Sequence, residues 1–424
     1  MKNENEDKKV IVLDSIMGSG KTSYAIQLMK EAPNTQRFIY VTPFLDEVKR
    51  IKSEVSNRNF REPNAKHGHG TKLASLKKLI ATGEDIATTH ALFALADDEL
   101  MELLKWERYT LIVDEVMDVI EQVPLKRDDL PVLLKSGYVE ISEDTQAVTW
   151  TGDHTMITRF NDVMHYALSG NLYAVNNVAF VWNFPAKVFN YFDEVYILTY
   201  LFAGQVQRHY YDFHGVQYAY YDVVRDDGRY ELVPKSSVKE DRSRFRELIT
   251  IYDGKLNDIG VRDTALSKSW FEHKHNTPNV KKLKDAIYNY FRHVTKSKSE
   301  NFLWTTFKDS KKRLQGCGFA KEESKIADTT TDKGKACFTP FNIRATNKYR
   351  HKTVLAFALN RYMNPIEKHF FAQRNVTVNE EMLALSDLLQ WLFRSAIRDG
   401  QPVKVYVPSR RMRVLLQRWL DNEI

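Results

Sequence analysis

A short apolar run, a glycine-containing turn and a helix-forming segment follow one another near the start of the chain. Val10–Asp14 reads VIVLD, and residues 21–30 contain no helix breaker. This order predicts a strand, a loop and a helix. Similar strand-like runs recur, with helical periodicity between them, at residues 37–42, 85–89, 110–113 and 195–199. Such alternation is typical of an α/β fold, in which helices cover both faces of a parallel sheet.

The pattern changes after this region and then resumes. Residues 208–233 are dense in Tyr, His and Asp with short alternating runs, which predicts antiparallel ribbons. Strand-like runs at 302–307, 353–358 and 403–407 then alternate with helical segments at 379–398 and 410–420. We therefore expect an α/β domain at residues 1–204, a small β-rich or helical bridging segment at 205–299, and a second α/β domain at 300–424.

The loop after the first strand has the composition of a phosphate-binding loop. Gly18 and Gly20 allow it to turn its amides inward, and the helix that follows adds partial positive charge from its N-terminus. Lys21 can reach the β- and γ-phosphate oxygens of a nucleotide, and Thr22 can ligate Mg²⁺. The residues expected to contact the nucleotide are Ser15, Met17, Gly18, Ser19, Gly20, Lys21 and Thr22. The alternative is a Gly-Ser turn that happens to precede a lysine, and the flanking strand and helix favour the phosphate site.

Two adjacent carboxylates end a later apolar run. Asp114 and Glu115 follow Leu111-Ile-Val, at the end of a predicted parallel strand, where ligands bind in α/β sheets. We expect Asp114 to hold Mg²⁺ and Glu115 to act as the general base for the attacking water, while Lys21 supplies charge to the phosphates. The alternative is a pair that caps a helix, and the phosphate-binding loop upstream argues against it.

Charge is unevenly distributed along the chain. Residues 301–424 hold 22 Lys and Arg against 12 Asp and Glu, whereas the net charge of the whole protein is +7. A basic region favours a polyanionic partner such as nucleic acid, although it can equally be solvated surface. No apolar run approaches the roughly 20 residues that cross a bilayer. We expect no membrane span, no signal peptide and a cytoplasmic protein whose two cysteines, Cys317 and Cys337, are free thiols.

The phosphate loop 18–22 and the sequence Asp114-Glu115-Val116-Met117 together resemble motifs one and two of superfamily-two helicases of the DEAD/DEAH-like class. The resemblance implies two RecA-like P-loop NTPase domains, ATP with Mg²⁺ bound between them, and nucleic acid as the partner. Other segments resemble the motifs whose loops contact the bound strand in that family. They are Thr42-Pro43, Thr88-Thr89-His90, Thr305-Thr306, and Arg344, Thr346 and Asn347.

The final motif resembles its family counterpart with two departures. Gln390, Arg394 and Arg398 occupy the positions expected to assist catalysis, but Phe393 replaces the usual Gly and the arginines are four residues apart. Spacing of four places both arginines on one face of a predicted helix. Which arginine reaches the γ-phosphate stays open, as does the alternative of a solvated basic face. Residues 196–202 resemble motif three only loosely, and Met117 replaces the family's Asp or His.

The resemblance implies an ATP-dependent helicase or translocase, similar to DNA helicases encoded by phages, that acts in replication or recombination. The expected partners are DNA, in preference to RNA, and replication proteins. The expected location is the cytoplasm, which is that of the host if the protein is encoded by a phage. The alternative is an ATP-controlled protein that binds or remodels DNA without unwinding it; a packaging ATPase is a weaker alternative. Polarity and oligomeric state are open from sequence.

Overall fold

Strands and helices alternate along the chain, as the sequence predicts. The computed structural model describes residues 9–65, 70–155, 158–237, 240–319, 336–342 and 348–424. The strands are β1 (Val10–Asp14), β2 (Arg37–Thr42), β3 (Ile86–Thr89), β4 (Tyr109–Asp114), β5 (Ile120–Gln122), β6 (Val139–Ile141), β7 (Val148–Trp150), β8 (Leu172–Val175), β9 (Ala179–Asn183), β10 (Glu194–Thr199), β11 (Tyr218–Asp226), β12 (Arg229–Pro234), β13 (Ile249–Ile251), β14 (Phe302–Thr305), β15 (Val354–Phe357) and β16 (Val403–Tyr406).

The α-helices lie between these strands, except the last, which follows β16. They are α1 (Lys21–Glu31), α2 (Leu45–Glu54), α3 (Lys72–Ala81), α4 (His90–Phe93), α5 (Asp98–Trp106), α6 (Asp129–Lys135), α7 (Asn161–Leu168), α8 (Val206–His214), α9 (Ser243–Leu248), α10 (Lys268–Glu272), α11 (Thr277–Asn289), α12 (Lys311–Leu314), α13 (Pro365–Ala372), α14 (Glu380–Leu392) and α15 (Arg410–Leu420). No helix in the described residues is both long and apolar enough to span a bilayer.

The chain divides into two units. The first comprises the described residues of Met1–Val238 together with Met363–Asn379, and the second comprises those of Lys239–Tyr362 together with Glu380–Ile424. In the first unit the described residues form a seven-stranded sheet in the order β12-β11-β1-β10-β4-β2-β3. All neighbouring strands are parallel except β11 and β12, which form an antiparallel hairpin at one edge.

The strand order decides where the motifs lie. β10 pairs with β1 on one side and with β4 on the other, so one strand separates the phosphate loop from the carboxylate pair. The central strands are continuous apolar runs because helices cover both faces of a parallel sheet. In β4 the side chains from Tyr109 to Val113 are all buried, and only Asp114 at the carboxyl end is partly exposed.

A β-rich insertion separates β4 from β10. Within the described residues it contains a three-stranded sheet, β5-β9-β8, and the hairpin β6–β7, with α6 and α7 packed beside them. Leu133, Trp150, Phe160 and Phe180 belong to its own apolar core. Helix α13, which lies far along the chain, packs on β5, β8 and β9. The insertion therefore belongs to the first unit, whereas the sequence placed the accessory segment at 205–299.

The second unit has a smaller sheet. Its described strands are all parallel, in the order β13-β16-β15-β14. Trp304, Phe338 and Tyr406 lie in a core that α11 completes with Val280, Leu283 and Ile287. Both units are thus α/β layers built on parallel sheets, which confirms the predicted fold class.

The unit boundaries differ from the expected ones, because residues 205–299 do not form a separate body. The hairpin β11–β12 extends the first sheet, whereas β13 pairs with β16 of the second. Residues 206–214 form helix α8, where the sequence predicted ribbon, and its Tyr210 and Tyr211 are fully buried. Pairing between strands distant in sequence decides how residues 205–299 are divided between the two units. Local periodicity does not predict this pairing.

Candidate nucleotide-binding site

The phosphate loop connects β1 to α1 as predicted. Gly18 has φ 86° and Gly20 has φ 100°, a left-handed backbone that favours glycine. Gly20 is the N-cap of α1, whose first helical residue is Lys21. The Lys21 ammonium donates to the carbonyl oxygens of Ser15 and, at 3.1 Å, of Ile16. The Lys21 side chain is thus folded back over the loop. It lies beside the N-terminus of α1, where an anion would bind.

The carboxylate pair lies at the end of β4. Burial, followed by the neighbouring Glu115 carboxylate, raises the pKa of Asp114 to about 7. The Tyr40 hydroxyl donates to Asp114 Oδ2 at 2.8 Å. Glu115 has φ 66°, a left-handed conformation that is uncommon for a residue with a side chain, and its amide donates to the Leu198 carbonyl at 2.9 Å. β4 ends at Asp114, directly before this left-handed residue.

Charges from the two motifs act on each other. Burial lowers the pKa of Lys21, and Glu115, Asp14 and Asp114 oppose that shift, with Glu115 the largest of the three. The carboxyl ends of β1 and β4 therefore bring the lysine and both predicted carboxylates into one electrostatic site. Thr22 and Asp114 offer a hydroxyl and a carboxylate oxygen, which are the hard ligands that Mg²⁺ prefers.

Hairpin β11–β12 contributes polar groups that the sequence analysis missed. The Ser15 hydroxyl donates to Asp222 Oδ1 at 2.9 Å, and the amide of Val223 donates to Ser15 Oγ at 3.0 Å. Lys235 lies 3.5 Å from Asp222 Oδ1 and 3.8 Å from Asp14 Oδ2. These residues follow the loop by more than 200 positions in a segment without a motif, so the sequence carried no signal for them.

The residues of the first unit that are predicted to contact the nucleic-acid strand differ in how buried their side chains are. The side chains of Thr42 and Thr88 are buried. Thr89 caps α4 by accepting from the Leu92 amide, and His90 Nε2 lies 3.0 Å from the Asp114 carbonyl oxygen. Pro43, Thr89 and His90 are partly exposed. Among the predicted contact residues of the first unit, these three have side chains that are accessible to a nucleic-acid strand.

In the second unit, Thr305 and Thr306 are buried at the end of β14, and Thr306 donates to the Ala358 carbonyl at 3.0 Å. Because both residues are buried, neither hydroxyl is exposed for the predicted contact with a nucleic-acid strand. Arg344, Thr346 and Asn347 lie outside the described residues.

The final motif differs from its predicted form. Helix α14 ends at Leu392, Arg394 follows in a turn, and Arg398 lies in a short 3-10 helix, Ala396–Asp399. Gln390 and Arg394 are buried, whereas Arg398 is exposed. The prediction that both arginines share one helix face is therefore wrong, because the helix ends before either of them.

The fold is that of an α/β protein with two RecA-like units, the first of which carries the predicted phosphate-binding loop between β1 and α1. The structure superposes on apo XPD with a TM-score of 0.56 at 12% identity, over 98% of this chain and 95% of that one. A second structure, Xpd4 of S. tokodaii, gives a TM-score of 0.45 at 12% identity, over 98% and 94%. At this identity the likeness to XPD shows a shared fold.

The chain belongs to the YonV family. Residues 243–420 match the YonV C-terminal Rossmann-like domain, and residues 120–182 match the YonV middle domain. The chain is 42% identical over 427 residues to the SPbeta prophage-derived uncharacterized protein YonV of Bacillus subtilis (strain 168), over 98% of this chain and all of the relative. The middle-domain match coincides with the β-rich insertion between β4 and β10.

Proposed function

We propose that the protein is an ATP-dependent nucleic-acid translocase or helicase. One observation carries the proposal: β1, which leads into the loop that holds Lys21, and β4, which ends in Asp114, flank the single strand β10 as parallel strands. Lys21 and the Asp114–Glu115 pair therefore lie at the same end of the sheet in the first unit, where their charges act on one another. Phosphoryl transfer needs a phosphate-holding cation, a carboxylate for the metal and a base for water, and these three groups match those needs.

Each residue has a distinct proposed role. The loop amides and Lys21 hold the ATP phosphates, Thr22 and Asp114 hold Mg²⁺, and Glu115 accepts the proton of the attacking water. Bound Mg²⁺ would supply charge to the phosphate oxygens. Ser15, Met17, Ser19 and the two glycines shape the loop. Gln390, Arg394 and Arg398 of the second unit are proposed to assist turnover.

The partner proposed for the motor is DNA. The resemblance to superfamily-two helicases and the basic C-terminal region support nucleic acid, and the prophage origin of the YonV relative supports a role in phage DNA replication or recombination inside the host cell. Pro43, Thr89 and His90 are the proposed side-chain contacts of the first unit with the strand.

Measurement of ATPase rates with single-stranded, duplex and forked DNA, together with a strand-displacement assay, tests the proposal. The wild type should hydrolyse ATP faster with DNA and separate strands. Lys21→Ala and Glu115→Gln should each abolish turnover, whereas Lys30→Ala, an exposed lysine of the same helix, should not. Absence of ATPase activity under all conditions would overturn the proposal. DNA-stimulated ATPase without strand displacement would indicate a clamp or remodelling protein instead.

A further inference from the structure

The hairpin β11–β12 adjoins the strand that leads into the phosphate loop. β11 runs parallel to β1, with Leu13 opposite Tyr221, and β12 returns antiparallel to β11 at the edge of the sheet. The hairpin is therefore attached to the sheet through the same strand that carries the loop. Its position beside the loop follows from main-chain pairing.

Side chains of helix α1 attach to β12 as well. The Gln27 side chain exchanges two hydrogen bonds with the backbone of Tyr230, donating to its carbonyl at 3.1 Å and accepting from its amide at 3.0 Å. Arg229 forms an ion pair of 2.6 Å with Glu31. Because Gln27 bonds only main-chain atoms of Tyr230, this attachment does not depend on the tyrosine ring.

The ring itself meets the phosphate loop. A Cβ atom built on Gly20 would lie 2.2 Å from Cε1 and 2.8 Å from Cδ1 of Tyr230. An edge of the ring thus occupies the space that any side chain at position 20 would need. Tyr230 is partly exposed, and the exposed guanidinium of Arg225 lies 5.7 Å from its ring centroid.

Polar contacts also join the base of the hairpin to the start of the loop. Asp222 accepts from Ser15 Oγ, and Lys235 donates to the Asp14 carbonyl oxygen and pairs with Asp222. Loop and hairpin are therefore joined at Ser15, at Asp14 and at Gly20, which span the entry and the exit of the phosphate loop.

We propose that this hairpin is the nucleoside-side wall of the nucleotide site, with Tyr230 and Arg225 as the surface on which the base stacks. The inference rests on the proposed function, since it takes the loop as the phosphate site. When its phosphates are held at the start of α1, a nucleotide extends its nucleoside past the rim of the loop. Tyr230 contacts Gly20 at this rim. Aromatic rings and guanidinium planes are the groups that stack on bases, through faces that every base possesses.

Binding of Mg-ADP and of Mg-tripolyphosphate to the full-length protein, measured by calorimetry, tests the assignment because tripolyphosphate has no base. Tyr230→Ala should weaken ADP binding about tenfold, the effect of losing one base–aromatic stack, and leave tripolyphosphate binding unchanged. Tyr230→Phe should bind both as the wild type does. Tyr230→Leu, which retains apolar bulk without a ring, should behave like Tyr230→Ala.

The control is Glu231→Ala, an exposed neighbour on the same strand, which should change neither affinity. Wild-type ADP binding by Tyr230→Ala and Tyr230→Leu would overturn the inference. Equal weakening of ADP and tripolyphosphate would also overturn it, since the ring would then only support the loop. Failure of the wild type to bind either ligand would instead refute the proposed function.

Discussion

The Tyr40 hydroxyl donates a 2.8 Å hydrogen bond to Oδ2 of Asp114, which joins the proposed metal-binding carboxylate to the adjacent strand. Tyr40 is fully buried in β2, which pairs directly with β4. A buried donor of this kind restricts the rotation of the carboxylate and occupies one of its oxygens. Partners of this type orient metal ligands, and their loss commonly reduces metal affinity 10- to 100-fold.

Tyr40→Phe should raise the Mg²⁺ concentration needed for half-maximal ATPase activity roughly tenfold, with little change in the rate at saturating Mg²⁺, because the carboxylate remains but loses its orientation. A Mg²⁺ titration of ATPase rate measures this. The matched control is Tyr109→Phe, which removes a buried hydroxyl that donates to the Glu84 carbonyl at 2.9 Å. An unchanged titration curve for Tyr40→Phe would show that the hydrogen bond does not position Asp114.

Arg398 is exposed, whereas Arg394 is buried, so the two arginines should respond differently to removal. Arg398→Ala should retain nucleotide affinity and lose on the order of a hundredfold or more in turnover if its charge acts as the transition state develops. Arg394→Ala should also lower the midpoint of urea unfolding, because it empties a buried site. Measurements of ADP affinity, of turnover and of urea unfolding separate a loss of catalysis from a loss of stability. Arg246→Ala is the exposed control. Normal turnover with weaker, less salt-dependent DNA binding would make Arg398 a DNA-phosphate contact instead.

Arg58 and Asp85 form a buried ion pair at 2.9 Å that joins the start of β3 to the chain after α2. Their side chains are 3% and 8% exposed, and Arg58 also donates to the Ala32 carbonyl at 3.2 Å. Arg58→Met should lower the free energy of unfolding by about 3–5 kcal/mol, since it leaves Asp85 as an uncompensated buried charge. Urea denaturation measures the loss. Arg61→Met, at an exposed ion pair of 3.9 Å, should cost less than about 1 kcal/mol.

Lys352 is fully buried in the second unit, and burial lowers its pKa from 10.5 to about 8. Between these values the unfolded chain binds more protons at this site than the folded chain does, so the contribution of Lys352 to stability rises with pH. Lys352→Met removes this dependence. The stability of the variant relative to wild type should therefore fall by on the order of 3 kcal/mol from pH 7 to 10.5. Parallel urea curves across that range measure it, with the exposed Lys404→Met as control; a constant difference would contradict the prediction.

Local patterns predicted much of the first unit. The strand–loop–helix at residues 10–31 and the carboxylate pair at the end of β4 lie where the sequence placed them, because apolar runs and glycine turns act over a few residues. The prediction failed where helix ends mattered. The apolar periodicity of residues 379–398 continues past Leu392, but the chain there turns, and so the two arginines are not on one helix face.

The strand-end threonines show a second limit. Thr42, Thr88, Thr305 and Thr306 stand at the ends of strands as predicted, yet their side chains are buried. Residue type and position along a strand are local properties, whereas burial depends on which distant segments cover that strand. Sequence could therefore place these residues at the carboxyl ends of their strands but could not determine what their side chains contact.

The sequence by itself determined the α/β class, the strand–loop–helix that carries the proposed phosphate site, and the acidic pair at the end of β4, since each depends on residues adjacent in the chain. Only the tertiary structure decided that β10 lies between β1 and β4, that α13 packs on the β-rich insertion, and that Tyr230 and Lys235 border the loop. The physical reason is that a strand's hydrogen-bonding groups are the same whatever its partner. The choice among partners is made by the packing of side chains distant in sequence, which no local period records.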